Sequence, residues 1–164
     1  MSVSIKKANQ NDFELIANLA KYIWEHHYVP IIGKDQVNYM LEKIYSKDSL
    51  LDQINNKNHV FYLIIADNFP IGFISISSEQ KTDFWIHKFY ISQDYQAKGI
   101  GEKVFHVLLN EIREHKHIKL TVNRQNFKSI NFYFKLGFKI ERVADFDIGN
   151  GYFMNDFIMI RNYR

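Results

Sequence analysis

The chain of 164 residues is 46% hydrophobic and 16% aromatic, with 14 Phe and 10 Tyr against 7 Gly and 2 Pro. That is enough for one domain, residues 1–164, with a substantial core, and too little Gly and Pro for a disordered or low-complexity protein. The absence of Cys excludes disulfides, thiolate nucleophiles and cysteine metal sites, and a net charge of +3 without a dense Lys/Arg stripe suits an anionic ligand better than nucleic acid.

The N-terminal run Met1-Ser2-Val3-Ser4-Ile5-Lys6-Lys7 lacks the apolar core of a signal peptide. The longest apolar run, Val60 to Ala66, is too short to span a membrane. A cytoplasmic protein without a membrane partner is therefore expected. Val3 to Ala8 reads as a first strand. Asn11 or Asp12 caps a helix carrying Phe13, Ile16, Ala17, Ala20, Ile23 and Trp24 at helical spacing. Pro30 and Gly33 mark a loop, Val37, Met40, Leu41 and Ile44 a second helix, and Leu50 to Ile54 a short third one.

His59 to Ala66 and Ile71 to Ser77 form a hairpin pattern joined by Asp67-Asn68-Phe69-Pro70, and Phe84 to Ile91 a longer strand. A helix pattern then runs from Gly99 to about Lys116, with the basic cluster Arg113 to His117 at its C-terminal end, where it complements the dipole. Ile118 to Val122 is a short strand. Asn126 caps a helix that Gly137 ends, and the strands Phe138 to Phe146 and Tyr152 to Arg161 flank Gly149-Asn150-Gly151. The order β-α-α-β-β-β-α-β-α-β-β describes one α/β domain with a mixed sheet of seven strands.

Between the Phe84–Ile91 strand and the helix after it lies Gln96-Ala97-Lys98-Gly99-Ile100-Gly101. A strand, a glycine-bearing loop and a helix N-terminus make an anion site, because successive N–H groups point outward and the dipole favours negative charge. Gly99 and Gly101 remove Cβ atoms that would hold a phosphate off the backbone. No Walker A sequence G-x-x-x-x-G-K-(S/T) occurs, and Val104 stands where a dinucleotide fingerprint needs its third glycine.

Phe89 to Gly101 resembles the acetyl-CoA signature of the GNAT superfamily of N-acetyltransferases, a strand followed by (Q/R)-x-x-G-x-(G/A) and a helix. Asn126-Phe127-Lys128-Ser129-Ile130-Asn131-Phe132-Tyr133-Phe134-Lys135-Leu136-Gly137-Phe138 is similar to the second family motif, N-x-x-A-x-x-x-Y-x-x-x-G-F, with Ser129 in the alanine position. The resemblance covers nearly the whole chain. It implies the GNAT fold, with flanking helices and a mostly antiparallel sheet whose fourth and fifth strands splay apart around acetyl-CoA.

The resemblance also implies roles. The pantetheine arm pairs with the backbone of Phe89, Tyr90 and Ile91, like an added strand. The pyrophosphate rests on the N–H groups of Gln96, Ala97, Lys98, Gly99, Ile100, Gly101 and Glu102. Asn126, Tyr133 and Lys135 are further cofactor contacts. An N–H near Ile91 polarises the thioester carbonyl, and the substrate amine attacks it directly. Tyr133 protonates the departing thiolate, or is one more ring of an aromatic core. His87 stands near where many relatives carry a Glu that takes the amine proton. A histidine can do so near neutral pH, and the alternatives are a packed histidine, Glu25 or water as the base.

Two segments are expected at the acceptor. Trp24-Glu25-His26-His27-Tyr28-Val29-Pro30 offers Trp24, Glu25, His26 and Tyr28. The last hairpin offers Asp145 and Asp156, carboxylates that attract an ammonium group, while turn chemistry accounts for Asp147, Gly149, Asn150 and Gly151. His26-His27 has no third ligand at metal spacing, so no metal is expected. These readings give an acetyl-CoA-dependent N-acetyltransferase, monomer or homodimer, acting on a small-molecule amine, with the bacterial polyamine acetyltransferases as possible relatives. The alternatives are a peptide or protein N-acetyltransferase and a non-catalytic acyl-CoA-binding regulatory module.

Overall fold

The computed structural model describes residues 1–163. Its strands are β1 (Val3–Lys7), β2 (Val60–Ala66), β3 (Phe69–Gln80), β4 (Asp83–Ile91), β5 (His117–Asn123), β6 (Lys139–Gly149) and β7 (Tyr152–Asn162). Its α-helices are α1 (Phe13–His27), α2 (Val29–Ile32), α3 (Lys34–Tyr45), α4 (Lys47–Asn55), α5 (Ile100–Glu111) and α6 (Phe127–Lys135). The seven strands hydrogen-bond in the order β1-β2-β3-β4-β5-β7-β6. β4 and β5 are parallel, whereas β1–β2, β2–β3, β5–β7 and β6–β7 are antiparallel. This is the mixed, mostly antiparallel α/β sheet that the strand order led one to expect. The chain packs as two compact units, one of Met1–Ser77 with Lys88–Arg113, the other of Ser78–His87 with Glu114 onward, so β3 and β4 each contribute to both.

In the first unit, Phe13, Ile16, Ala20, Ile23 and Trp24 of α1, Val37 and Met40 of α3 and Leu50 of α4 bury the apolar stripes of their helices. Phe61, Ile64, Phe73 and Ile74 of the sheet, and Val104, Phe105 and Leu108 of α5, complete the core. Asp12 stands at the N-cap position of α1, as one of the two expected residues, but makes no side-chain bond to that helix, and the capping side chain lies before the preceding 3-10 turn, at Asn9. Its Oδ1 accepts from the Asn11 N–H at 2.9 Å, and the Asp12 carboxylate accepts from the Asn9 N–H at 3.0 Å. The cap lies one short 3-10 turn earlier than the apolar periodicity shows. Val29-Pro30-Ile31-Ile32 forms a helical turn instead of a loop, since proline in a first turn gives up no hydrogen bond.

The β2–β3 hairpin turns on only two residues, Asp67 and Asn68, with φ of 46° and 72°. Pro70 therefore belongs to β3, opposite Ile65 at an irregularity in the ladder, where a missing N–H is tolerated. α5 ends at Glu111, shorter than the expected run to Lys116. Its apolar stripe stops at Ile112, and the next buried side chain, His115, packs its ring 5.0 Å from that of Tyr163 beyond the helix, so the basic cluster lies past the helix end.

In the second unit, the parallel ladder of β4 with β5 runs from Asp83↔His117 to Ile86↔Leu120, the first four residues of β4. β5 then pairs with β7 from His117↔Asn162 to Asn123↔Asp156. Ile118, Leu120 and Val122 alternate with less buried residues along β5. Asn150 and Gly151, at φ 53° and 77°, close the β6–β7 hairpin. The left-handed φ of +87° at Gly137 ends α6, and Arg161 Nε donates to the exposed-end carbonyl of Leu136 at 2.9 Å. Among the described residues, no helix is long and apolar enough to cross a membrane.

Candidate active site

The first unit carries the glycine loop. The Ser92 N–H donates to the Ile71 carbonyl at 2.8 Å, pinning the end of β4 to β3. Gln96 Nε2 donates back to the Ile91 carbonyl at 2.8 Å and folds the chain over after a 3-10 turn at Gln93–Tyr95. Ala97 and Gly99 are both left-handed, at φ 62° and 69°. Such residues turn successive N–H groups inward into an anion-binding concavity. α5 starts at Ile100, and no side chain caps it from Gly99. Its first N–H groups have no intrahelical acceptor, so the helix opens on unspent donors beside exposed Ala97, Lys98 and Gly99. A Cβ at Gly99 would meet no protein atom within 4 Å. Glycine is needed there for its backbone angle, and the space in front of it is open.

Upstream of the loop, Phe89, Tyr90 and Ile91 are half-buried. A glycine that no loop or cap pattern marks fits them in place: a Cβ on Gly72 of β3 would lie 2.0 Å from the Tyr90 carbonyl oxygen. The Tyr90 ring enters an aromatic cluster. Trp24 lies 4.9 Å from Tyr28, 5.7 Å from Tyr45 and 5.7 Å from Tyr90, ring centre to ring centre, and Tyr28 and Tyr90 are 6.3 Å apart. Trp24 and Tyr28 meet because they are one helical turn apart. Glu25 and His26, on the opposite face of α1, are exposed and do not join them. Trp24 Nε1 and Tyr45 Oη are buried without a hydrogen-bond partner, and burial pushes the Tyr45 phenol well above its usual range.

In the second unit, His87 is exposed on β4. Tyr133 is 9% exposed, with its ring 5.4 Å from Phe132 and 5.6 Å from Phe138. Asn126 is buried, and its Oδ1 accepts from the Ser129 N–H at 3.2 Å as the N-cap of α6. Lys135 is exposed in the last turn of that helix. The two acids of the last hairpin have different surroundings. Asp145 is exposed, and Arg124 Nη1 donates to it at 2.7 Å. Asp156 is 3% exposed, opposite Asn123 on β5 and Ala144 on β6. Burial raises its carboxyl to about 6, against the lowering effects of the Thr121 hydrogen bond and the Arg124 charge. Among the described residues, no group of His, Asp and Glu side chains could hold a metal ion.

The sequence model of the acetyltransferase (GNAT) domain matches residues 28–146. The chain belongs to the GNAT acetyltransferase family. A spermidine N(1)-acetyltransferase from Thermoplasma acidophilum is 31% identical, over 99% of this chain and 99% of its own. A spermine/spermidine N(1)-acetyltransferase from Bacillus subtilis is 32% identical over a shorter stretch, 38% of this chain and 43% of its own. Among solved GNAT-type structures, PaiA N-acetyltransferase from Thermoplasma acidophilum, in complex with coenzyme A, superposes with a TM-score of 0.81. It is 28% identical and covers 99% of this chain and 100% of its own. Ard1 from Thermoplasma volcanium shares the fold, with a TM-score of 0.74, 19% identity, and coverage of 100% and 99%. The matched region of the family contains the glycine loop, Asn126, Tyr133 and Asp145, whereas Trp24 and Asp156 lie outside it.

Proposed function

We propose that this GNAT enzyme moves the acetyl group of acetyl-CoA onto a primary amine of a small molecule, by direct attack within a complex holding both substrates, and that its 164 residues work as one acetyltransferase domain. The observation that carries this is the uncapped start of α5 behind left-handed Ala97 and Gly99, a cradle whose donors and open front suit a pyrophosphate. Gln96 to Glu102 hold the phosphates, and the backbone of Phe89, Tyr90 and Ile91 holds the pantetheine arm. Lys135 and Asn126 add contacts, the latter by its amide nitrogen, since its oxygen serves the cap.

The amine nitrogen bonds to the thioester carbon and the C–S bond breaks. The carbonyl oxygen is stabilised by an N–H near Ile91. Tyr133 gives its phenolic proton to the sulfur, and His87 or water takes the proton leaving nitrogen. Trp24 and Tyr28 line the acceptor's path with aromatic surface. Asp156, more than Arg124-paired Asp145, supplies the carboxylate that attracts an ammonium group. The spermidine and spermine acetyltransferases among the relatives make polyamines the first acceptors to try.

The test is acetyl-CoA consumption against polyamines, amino acids, aminosugars and short peptides. Turnover with a small amine supports the reading. Turnover with peptides alone turns it into a peptide acetyltransferase, and coenzyme A binding without turnover into an acyl-CoA-binding module. Tyr133→Phe is expected to lower kcat by about a hundredfold while the Kd for coenzyme A stays within about twofold. An unchanged kcat removes Tyr133 from the reaction.

A further inference from the structure

Lys88 is a buried amine that the reaction above does not use. It alternates along β4 with the residues of the opposite face and is 7% exposed. Its Nζ donates to Gln53 Oε1 at 2.5 Å. The Gln53 amide is held in that orientation, because its Nε2 donates to the Ile44 carbonyl at 2.8 Å and to Ser49 Oγ at 3.1 Å. The amine lies 5.2 Å from the centre of the Phe61 ring and 5.9 Å from that of Tyr45. One side chain on β4 thus reaches α3 through Tyr45 and Ile44, α4 through Gln53, and β2 through Phe61.

The titratable groups around it are Tyr45 of α3 and, between α4 and β2, Lys57 and His59; no carboxylate pairs with the amine among the described residues. Burial, with Lys57 adding repulsion, brings the Lys88 ammonium down to about 7. Burial and the two lysines lower His59 to about 4, so it is uncharged near neutrality. The folded chain gives up the Lys88 proton more readily than the unfolded chain, so this packing is favoured as pH rises through 7 and loosened by protonation below it.

We propose that Lys88 is a positioning residue for acetyl-CoA: its anchor on Gln53 ties β4 to α3 and α4 at the residue before Phe89–Ile91, and protonation of the anchor opposes cofactor binding. This deepens the acetyltransferase reading and rests on it. Because coupling is reciprocal, acetyl-CoA that needs Phe89–Ile91 in place also lowers the proton affinity of Lys88.

The experiment is titration calorimetry of dephospho-coenzyme A, which lacks the 3′-phosphate and its own proton equilibrium near neutrality, from pH 5.5 to 8.5 on the whole chain. The wild type is expected to bind about tenfold more tightly at the upper end, the effect of a one-unit displacement of a single group. Lys88→Met keeps the volume without the charge, and its affinity is expected to be flat with pH. Gln53→Glu puts a carboxylate beside the amine and is expected to move the step to higher pH. The same step in Lys88→Met, or an unmoved step in Gln53→Glu, overturns the proposal while leaving the acetyltransferase reading intact. No binding by the wild type at any pH overturns both.

Discussion

Asp156 shows how one residue's surroundings decide its use. Among the residues singled out from the sequence it is the buried carboxylate, and burial lifts it from 3.8 to about 6. Its folded value is above the unfolded one, so the folded chain binds more protons between about pH 4 and 6. Stability therefore falls as pH rises through that window and stays reduced above it. At about 1.36 kcal/mol per unit the cost near neutrality is at most about 3 kcal/mol. Asp156→Asn keeps the shape and an acceptor for Thr121. Urea unfolding should find it more stable than the wild type at pH 7 and equal to it near pH 4. If Asp156 also attracts the acceptor's ammonium, the same variant raises KM for the amine and leaves KM for acetyl-CoA alone. An unchanged amine KM would leave Asp156 a structural residue only.

At the scale of elements, the stretch Phe89–Ile91 depends on a neighbour in β3. Gly72 has no room for a side chain, with the Tyr90 carbonyl oxygen 2.0 Å from where a Cβ would stand. The obstacle is backbone, so relief requires β3 and β4 to move apart. Gly72→Ala is expected to cost about 2 kcal/mol or more in chemical denaturation and to raise KM for acetyl-CoA, because the displaced strand is the one assigned to pantetheine. A loss below about 0.5 kcal/mol with unchanged KM, the range of an ordinary surface change, would mean that the approach is relaxed in solution.

The contrast with Gly99 explains what could be read from the chain. Gly99 announced itself because it sits in a loop pattern with Gln96 and Gly101, and helix periodicity after it was plain. Gly72 is a glycine inside an apolar strand, and only the register with β4 gives it meaning. Asn126 and Tyr133 were legible for the same reason as Gly99, being a cap and a ring in a spaced motif. Lys88 was not, because in the alternation of Phe84 to Ile91 a lysine reads as a solvent-facing position. Its burial depends on Gln53, 35 positions away. Helical spacing places Trp24 in the apolar stripe of α1, but it does not separate Tyr28 from Glu25 and His26, which the sequence offers together at the acceptor; the rings of Tyr45 and Tyr90 draw in Trp24 and Tyr28 and leave Glu25 and His26 exposed. Helix ends were missed where apolar spacing is silent, as at Asn9 and at Glu111.

For the whole molecule the relevant quantity is net charge, +3 from 21 basic and 18 acidic side chains. The two substrates of the proposed reaction have opposite signs. A cationic protein gathers the cofactor's phosphates and repels a polyamine, so local carboxylates such as Asp156 must act against the average field. Long-range contributions die away over about 8 Å at physiological ionic strength, and short-range contacts persist. Raising salt is therefore expected to increase KM for acetyl-CoA and to leave KM for a polyamine level or lower it, in steady-state kinetics with each substrate varied in turn. A polyamine KM that climbs steeply with salt would show that a negatively charged surface steers the acceptor. Such a surface would have to come from residues other than Asp145, whose charge Arg124 already offsets at 2.7 Å.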